Sequence, residues 1–172
     1  MDDIRKAPTT VGRVDLIVRR PALGEREVLE EGLLSLDDGL IGDTWNARPS
    51  RRTEDGSPHP DMQLNLVMSR VVGLIAQETE RWPLAGDQLY VDLDLSQDNL
   101  PSGTRLALGT AVIEVTAQPH TGCAKFTQRF GLEAFRWVNT EAGQKLRLRG
   151  MNAKVVQAGV VRPGEAITKL AL

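Results

Sequence analysis

Thr104-Arg105-Leu106-Ala107-Leu108-Gly109-Thr110-Ala111-Val112-Ile113-Glu114-Val115-Thr116-Ala117-Gln118 reads as two strands around one turn. Residues 104–108 and 111–118 are short and rich in aliphatic and β-branched side chains, as strands are. Gly109-Thr110 leaves a two-residue link, and its glycine is free to take the positive φ of a tight hairpin turn. The hairpin runs into Pro119-His120-Thr121-Gly122-Cys123-Ala124-Lys125-Phe126, which holds the only cysteine and one of the two histidines.

Upstream, the same texture recurs. Residues 1–10 read as a short charged tail, and 11–172 as one domain. Val14, Leu16 and Val18 share one face of a strand over 11–20, and a second strand over 26–34 completes a hairpin. Residues 61–68 form a strand with Met62, Leu64, Leu66 and Met68 on one face. Ser69 is an expected N-cap for a helix over 70–82, which Pro83 ends. Tyr90 to Ser96 alternates, with Val91, Leu93 and Leu95 facing away from Tyr90, Asp92 and Asp94, as in a half-exposed strand.

Downstream, helices are expected over 124–130, closed by Gly131, and over 132–139. Strands follow at 145–149, 152–161 and 165–170. No βα alternation, P-loop or GxGxxG pattern is present, so neither an NTPase nor a dinucleotide-binding fold is supported. The fold class is mainly β (α+β): a β-barrel with two or three flanking helices.

The totals narrow the function. The 172 residues fit one domain with a real core, and a net charge of −2 gives no global pull toward nucleic acid or an anionic membrane. A single cysteine leaves no intrachain disulfide framework and no zinc site built on several thiolates. The first residues lack the apolar run of a secretory signal, and no stretch is long enough to span a membrane. A cytoplasmic protein is expected.

Candidate chemistry is concentrated in two places. Cys123 falls where a strand ends and a helix begins, and free N–H groups at a helix start favour negative charge. Lys125 adds positive charge. A thiolate there is suited to a soft metal or to attack on an electrophile, although an isolated cysteine is also a common core residue. His120 is placed to act as a base if the chain folds it back to the thiol. The long polar loop 44–60 carries Arg48, Arg51 and Arg52, whose planar forks suit phosphate, and also His59, read as exposed with no ligand role. Asp37, Asp38 and Asp43 lie near two glycines. That allows a metal loop, but the spacing does not fit an EF-hand.

Several motifs then fall in order: Gly42-Asp43, the arginine-bearing loop, a glutamine-containing strand, a helix, Asp98-Asn99-Leu100, Gly103, Leu108-Gly109, the Pro119-to-Cys123 segment, and Gly159 to Glu165. From Val11 to Leu170 the chain resembles a stand-alone MOSC domain, named for the C-terminus of molybdenum cofactor sulfurase. The resemblance implies a β-barrel and a pterin-based molybdenum cofactor, with Cys123 as thiolate ligand to the metal. It implies a catalytic role for Cys123, while His120 is a catalytic candidate by its position near the thiol; it also implies cofactor contacts from Asn99 by motif. By charge and position, Arg51, Arg52, Thr121, Lys125 and Arg129 join them. The implied activity is reduction of a small N-hydroxylated substrate, with electrons from a separate donor protein. A non-catalytic cofactor carrier and a cofactor-free sulfur carrier using a Cys123 persulfide are the alternatives. The chain departs from the family pattern in three places: Thr44-Trp45 replaces a histidine after Gly-Asp, Gln97-Asp98-Asn99-Leu100 replaces Gly-Glu-Asn-Leu, and Gly122 replaces a proline before the cysteine.

Overall fold

The computed structural model describes residues 2–171. In chain order the elements are α1 (Asp2–Arg5), β1 (Val11–Arg19), β2 (Glu27–Leu29), β3 (Gly32–Ser35), β4 (Gly39–Leu40), β5 (Leu64–Met68), α2 (Ser69–Ala76), β6 (Leu89–Asp92), β7 (Arg105–Leu108), β8 (Ala111–Val115), α3 (Ala124–Val138), α4 (Glu141–Lys145), β9 (Met151–Gln157), β10 (Gly159–Val161) and β11 (Ala166–Lys169). Short 3-10 turns lie at Trp45–Ala47, Pro60–Met62 and Thr79–Ala85.

Seven strands close a barrel in the order β11-β7-β8-β9-β5-β6-β1, because β1 also pairs with β11. Closure leaves no free sheet edge among these seven. β2 extends the sheet from β1, and β3, β4 and β10 form a small second sheet. The β5–β6 pair is parallel, which requires a crossover, and α2 with the Thr79–Ala85 turn supplies it. The Gly109 turn joins β7 to β8 as expected. Its φ is +56°, and a Cβ there would meet the Val160 carbonyl at 2.0 Å, so only glycine fits.

The barrel interior is aliphatic: Val14, Leu64, Leu66, Leu89, Leu93, Leu106 and Ile113 are all fully buried. Burial of such a side chain stabilises by roughly 1.5–3 kcal/mol. Tyr90 corrects the expectation of a half-exposed strand. It is fully buried outside the barrel beneath α2, with its ring stacked on Trp82 and its hydroxyl donating to the Trp82 carbonyl at 2.9 Å. The N-terminal stretch packs on the barrel, with Ile4 in the core.

Three further local readings change. Ser69 is the first helical residue of α2, not its cap, and its hydroxyl bonds the Asp15 carboxylate instead. The helix stops at Gln77, in a positive-φ conformation, before the 3-10 turn carries the chain through Pro83. Residues 145–149, expected as a strand, are the end of α4 and a turn. Thr140 caps that helix by accepting from the Gly143 N–H at 3.0 Å, and this local signal outweighs the alternating Leu146 and Leu148. The two-helix reading of 124–139 holds in its geometry: α3 is bent at Gly131, with φ 88° and ψ 168°.

Candidate functional site: a cationic cleft around Cys123

After β8 the chain crosses the end of the barrel and is fastened at several points. The Thr116 hydroxyl donates to the Asp61 carbonyl at 2.6 Å, Asn152 Nδ2 to the Gln118 carbonyl at 3.1 Å, and the Gly122 N–H to Asn139 Oδ1 at 3.1 Å. Cys123 then sits at the N-cap of α3 with extended backbone. Its carbonyl takes the first helical bond from Thr127 N–H at 3.0 Å, and its thiol is exposed.

Beneath this segment lies Asp87, fully buried. Arg149 Nη1 donates to its Oδ2 at 2.7 Å and its Oδ1 at 3.0 Å, and His120 Nε2 lies 2.8 Å from Oδ1. Burial alone would push the Asp87 carboxyl up, but Arg149 and His120 together hold it below its ordinary value. Burial, reinforced by the Arg149 charge, pushes His120 below its ordinary value despite the Asp87 contact. Neutral His120 therefore carries its proton on Nε2, donating to the carboxylate, and leaves Nδ1 as an acceptor. Gly150 allows the close approach. Its φ is +108°, and a Cβ there would lie 2.1 Å from the Leu66 carbonyl and 3.2 Å from His120 Cδ2.

A second buried pair frames the other side. Arg20 grips Asp43 through Nε at 2.8 Å and Nη2 at 2.7 Å, and its Nη1 donates to Asn65 Oδ1 and the Gly86 carbonyl. Gln88 and Asn152 extend this network: Asn65 Nδ2 donates to Asn152 Oδ1 at 2.6 Å. Asp43 is the carboxylate of the Gly-Asp motif. It serves Arg20, not a metal, and no group of three or more His, Cys, Asp or Glu able to hold a metal ion occurs among the described residues. The metal-loop reading of Asp37 to Asp43 is thereby replaced by a salt bridge.

Two basins open above this floor. One, of about 290 Å³, is bordered by Cys123, His120, Lys125, Arg129, Arg26 and Arg149. The other, of about 300 Å³, is bordered by Trp45, Arg48, Arg51, Arg52, His59 and Met62. Arg20, Arg48 and Asn65 border both, so the basins adjoin. Among the described residues no carboxylate side chain lines either one. Arg26 and Arg48 are held below the ordinary guanidinium range, first by burial and then by neighbouring arginines. The Asp43 charge partly offsets this in both, and neither forms an ion pair with a carboxylate among the described residues.

The residues expected at the site are partly reunited. Cys123, His120, Lys125 and Arg129 share one basin, and Arg51 and Arg52 share the adjoining one. Arg52 also reaches Gln118 Oε1 at 3.0 Å, tying the loop to the Cys123 segment. Thr121 faces a separate pocket behind that segment. Asn99 is elsewhere: its amide donates to the Asp94 carbonyl at 2.7 Å and the Thr9 carbonyl at 3.0 Å, and it borders neither basin. Its motif position reflects turn-making, as asparagine side chains bond nearby backbone. His59 is half-buried, not exposed as expected. Its Nδ1 accepts the Asp61 N–H at 3.2 Å, and the residue lines the second basin. Sequence reasoning missed Asp87, Arg149, Arg20 and Arg26. The sole signal was Asp87 at the start of a buried apolar strand, an unfavourable place for an unpaired carboxylate.

The fold and site thus define a β-barrel protein with an exposed thiol in an anion-receptive cleft. The MOSC domain profile matches residues 43–168, and the chain belongs to the MOSC domain family, which is associated with the molybdenum cofactor. Three crystal structures share the fold. The YuaD protein from Bacillus subtilis has a TM-score of 0.64 at 12% identity, covering 91% of this chain and 94% of that one. YiiM from Escherichia coli has a TM-score of 0.60 at 21% identity, covering 93% and 70%. A hypothetical protein has a TM-score of 0.63 at 20% identity, covering 100% and 72%. A comparison with curated protein sequences gives no match. Among the described residues no helix is long and apolar enough to cross a membrane.

The cleft fits a pterin-borne metal. Cys123 offers one soft ligand, so a metal there must bring most of its ligands with it, and the unpaired guanidinium groups suit a phosphate. Arg149 Nε, buried with no partner, adds a donor still to be satisfied.

Proposed function

We propose that this protein binds a molybdenum–pterin cofactor through Cys123 and reduces small N-hydroxylated compounds with electrons from a separate donor protein. The observation that carries the reading is an exposed thiol opening into a basin whose cations, Arg26, Lys125 and Arg129, have no carboxylate partner among the described residues. The cofactor supplies the redox chemistry; the chain binds, orients and tunes it. Cys123 is the metal's thiolate, and Arg26, Lys125 and Arg129 hold the phosphate.

His120 serves as a positioning residue. Its Nε2 is committed to Asp87, so it steadies the segment 119–123 and keeps only Nδ1 as an acceptor. The reaction is balanced: an N-hydroxyl group takes up two electrons and two protons, the N–O bond breaks, and an amine and water leave.

Metal analysis of protein made in a cofactor-producing host tests the reading. Stoichiometric molybdenum, lost in Cys123→Ser, is expected, together with turnover of a hydroxylamine by the wild type with an artificial electron donor. No molybdenum on the wild-type chain overturns the proposal. Molybdenum without turnover leaves a cofactor carrier, and a stable added sulfur on Cys123 in metal-free protein identifies a persulfide carrier.

A further inference from the structure

The helix that starts at Cys123 ends beside it. α3 has 15 residues, and a straight helix of that length would carry its far end roughly 22 Å away. Gly131, at φ 88° and ψ 168°, instead breaks it into two segments, and the second returns to the start of the first. Asn139, which caps the C-terminus of α3, places its Oδ1 3.1 Å from the Gly122 nitrogen and accepts its N–H. The two ends of the helix are thereby joined one residue before the thiol.

The joint is built from both sides. Asn139 is itself held: its Nδ2 donates to the Phe135 carbonyl at 3.0 Å, its N–H to the same carbonyl at 3.3 Å, and its carbonyl accepts from Gln144 Nε2 at 3.1 Å. Gly122 lies so close that a Cβ would meet Asn139 Nδ2 at 2.8 Å, Phe135 Cδ2 at 3.1 Å and Val138 Cγ2 at 3.3 Å. A proline at this position, as in the family pattern, would stiffen the backbone with its ring but would have no N–H to give. Glycine does the opposite: it loosens the backbone and keeps the donor. Asn139 removes the freedom that Gly122 introduces just before the thiol. Cys123 makes no side-chain capping bond of its own, so its backbone sets its place.

We infer that Asn139 is a positioning residue for Cys123: by holding the Gly122 N–H it keeps the thiol at the border of the basin shared with Arg26, Lys125 and Arg129, in place of the rigidity a proline would give. The role holds whichever ligand the sulfur takes, so it stands apart from the cofactor reading.

Paired alkylation of the cofactor-free protein tests the role. Iodoacetate carries a carboxylate and iodoacetamide does not, yet both form the same S–C bond with loss of iodide. The ratio of their rates cancels the thiolate fraction and reads the charge around the sulfur. In the wild type at low salt the ratio is expected to exceed that of a short cysteine peptide by about tenfold or more, as in a cleft lined by one sign of charge. Asn139→Ala should lower it by about fivefold, the effect of taking one unit charge out of contact with a cation in water. The same variant should speed exchange of the Gly122 amide hydrogen by about fivefold or more, the worth of one hydrogen bond. Gly122→Ala keeps the N–H but pushes the segment 119–123 away from Asn139, and it should lower the ratio as well. Gln144→Ala removes a bond to Asn139 without touching Gly122 and should leave the ratio unchanged. A wild-type ratio equal to the peptide's, a ratio unmoved by both Asn139→Ala and Gly122→Ala, faster Gly122 exchange with an unmoved ratio, or an equal fall in Gln144→Ala each overturns the role of Asn139.

Discussion

Arg149 and Arg48 border the same cleft, yet one grips a buried carboxylate and the other makes no ion pair among the described residues. Arg149 and Arg20 belong to the floor. Each is under 10% exposed, and each is bound to a carboxylate that is itself buried, Asp87 or Asp43. Arg48, with Arg26, Arg51, Arg52, Lys125 and Arg129, belongs to the walls. Floor cations are neutralised by the chain and hold its segments in register. Wall cations have no carboxylate partner among the described residues. The difference separates residues whose loss should unfold the protein from residues whose loss should empty it.

The largest expected effect is on the floor. Arg149→Met leaves Asp87 buried without its main counter-charge and should cost about 3–5 kcal/mol in urea unfolding. Adding Asp87→Asn should recover part of that loss, giving a clear coupling in a double-mutant cycle. A strictly additive double variant would break the comparison.

Next in size is pH. His120 is held below its ordinary value of 6.5, so the unfolded chain binds this proton first. Its contribution is fully present above that value and is lost as pH falls through it, with a slope of at most about 1.4 kcal/mol per pH unit. Asp87, held below its ordinary 3.8, adds a further loss as acid protonates it. In His120→Gln the slope just below pH 6.5 should flatten while the acid limb remains.

Smaller still, Arg48→Gln should change stability by no more than about 0.5 kcal/mol, and in the stabilising direction, because it relieves repulsion from Arg20 and Arg26. The same variant should weaken anion binding and flatten its salt dependence. Least of all, Cys123→Ser should leave the urea midpoint unchanged within error, because an exposed thiol contributes little packing, while abolishing molybdenum retention.

Much of this was legible in the chain. The β7–β8 hairpin, its Gly109 turn and the bend at Gly131 follow from local rules, because alternation and glycine freedom act over a few residues. Cys123 at a helix start was read the same way. The floor was not legible, since its partners lie far apart: Asp87 and Arg149 are 62 positions apart, and Arg20 and Asp43 are 23 apart. Pairing over such spans depends on which strands the barrel sets side by side. Residues 145–149 were misread because Leu146 and Leu148 alternate while Thr140, upstream, had already started a helix. Tyr90 was misplaced because its period-2 position points out of the barrel, and only the crossover helix α2 turns that side into interior.

The seam between β1 and β11 has a kinetic side. Val11 to Arg13 pair with Ala166 to Thr168, strands separated in sequence by all the other strands of the barrel. During synthesis β1 lacks this partner until residues 166–168 have been made. Pairings of such long range make folding slow. Through that interval the Cys123 segment has been synthesised but the closed barrel that carries its cationic cleft has not formed. The cleft around Cys123 is therefore completed late, once the β1–β11 seam has closed.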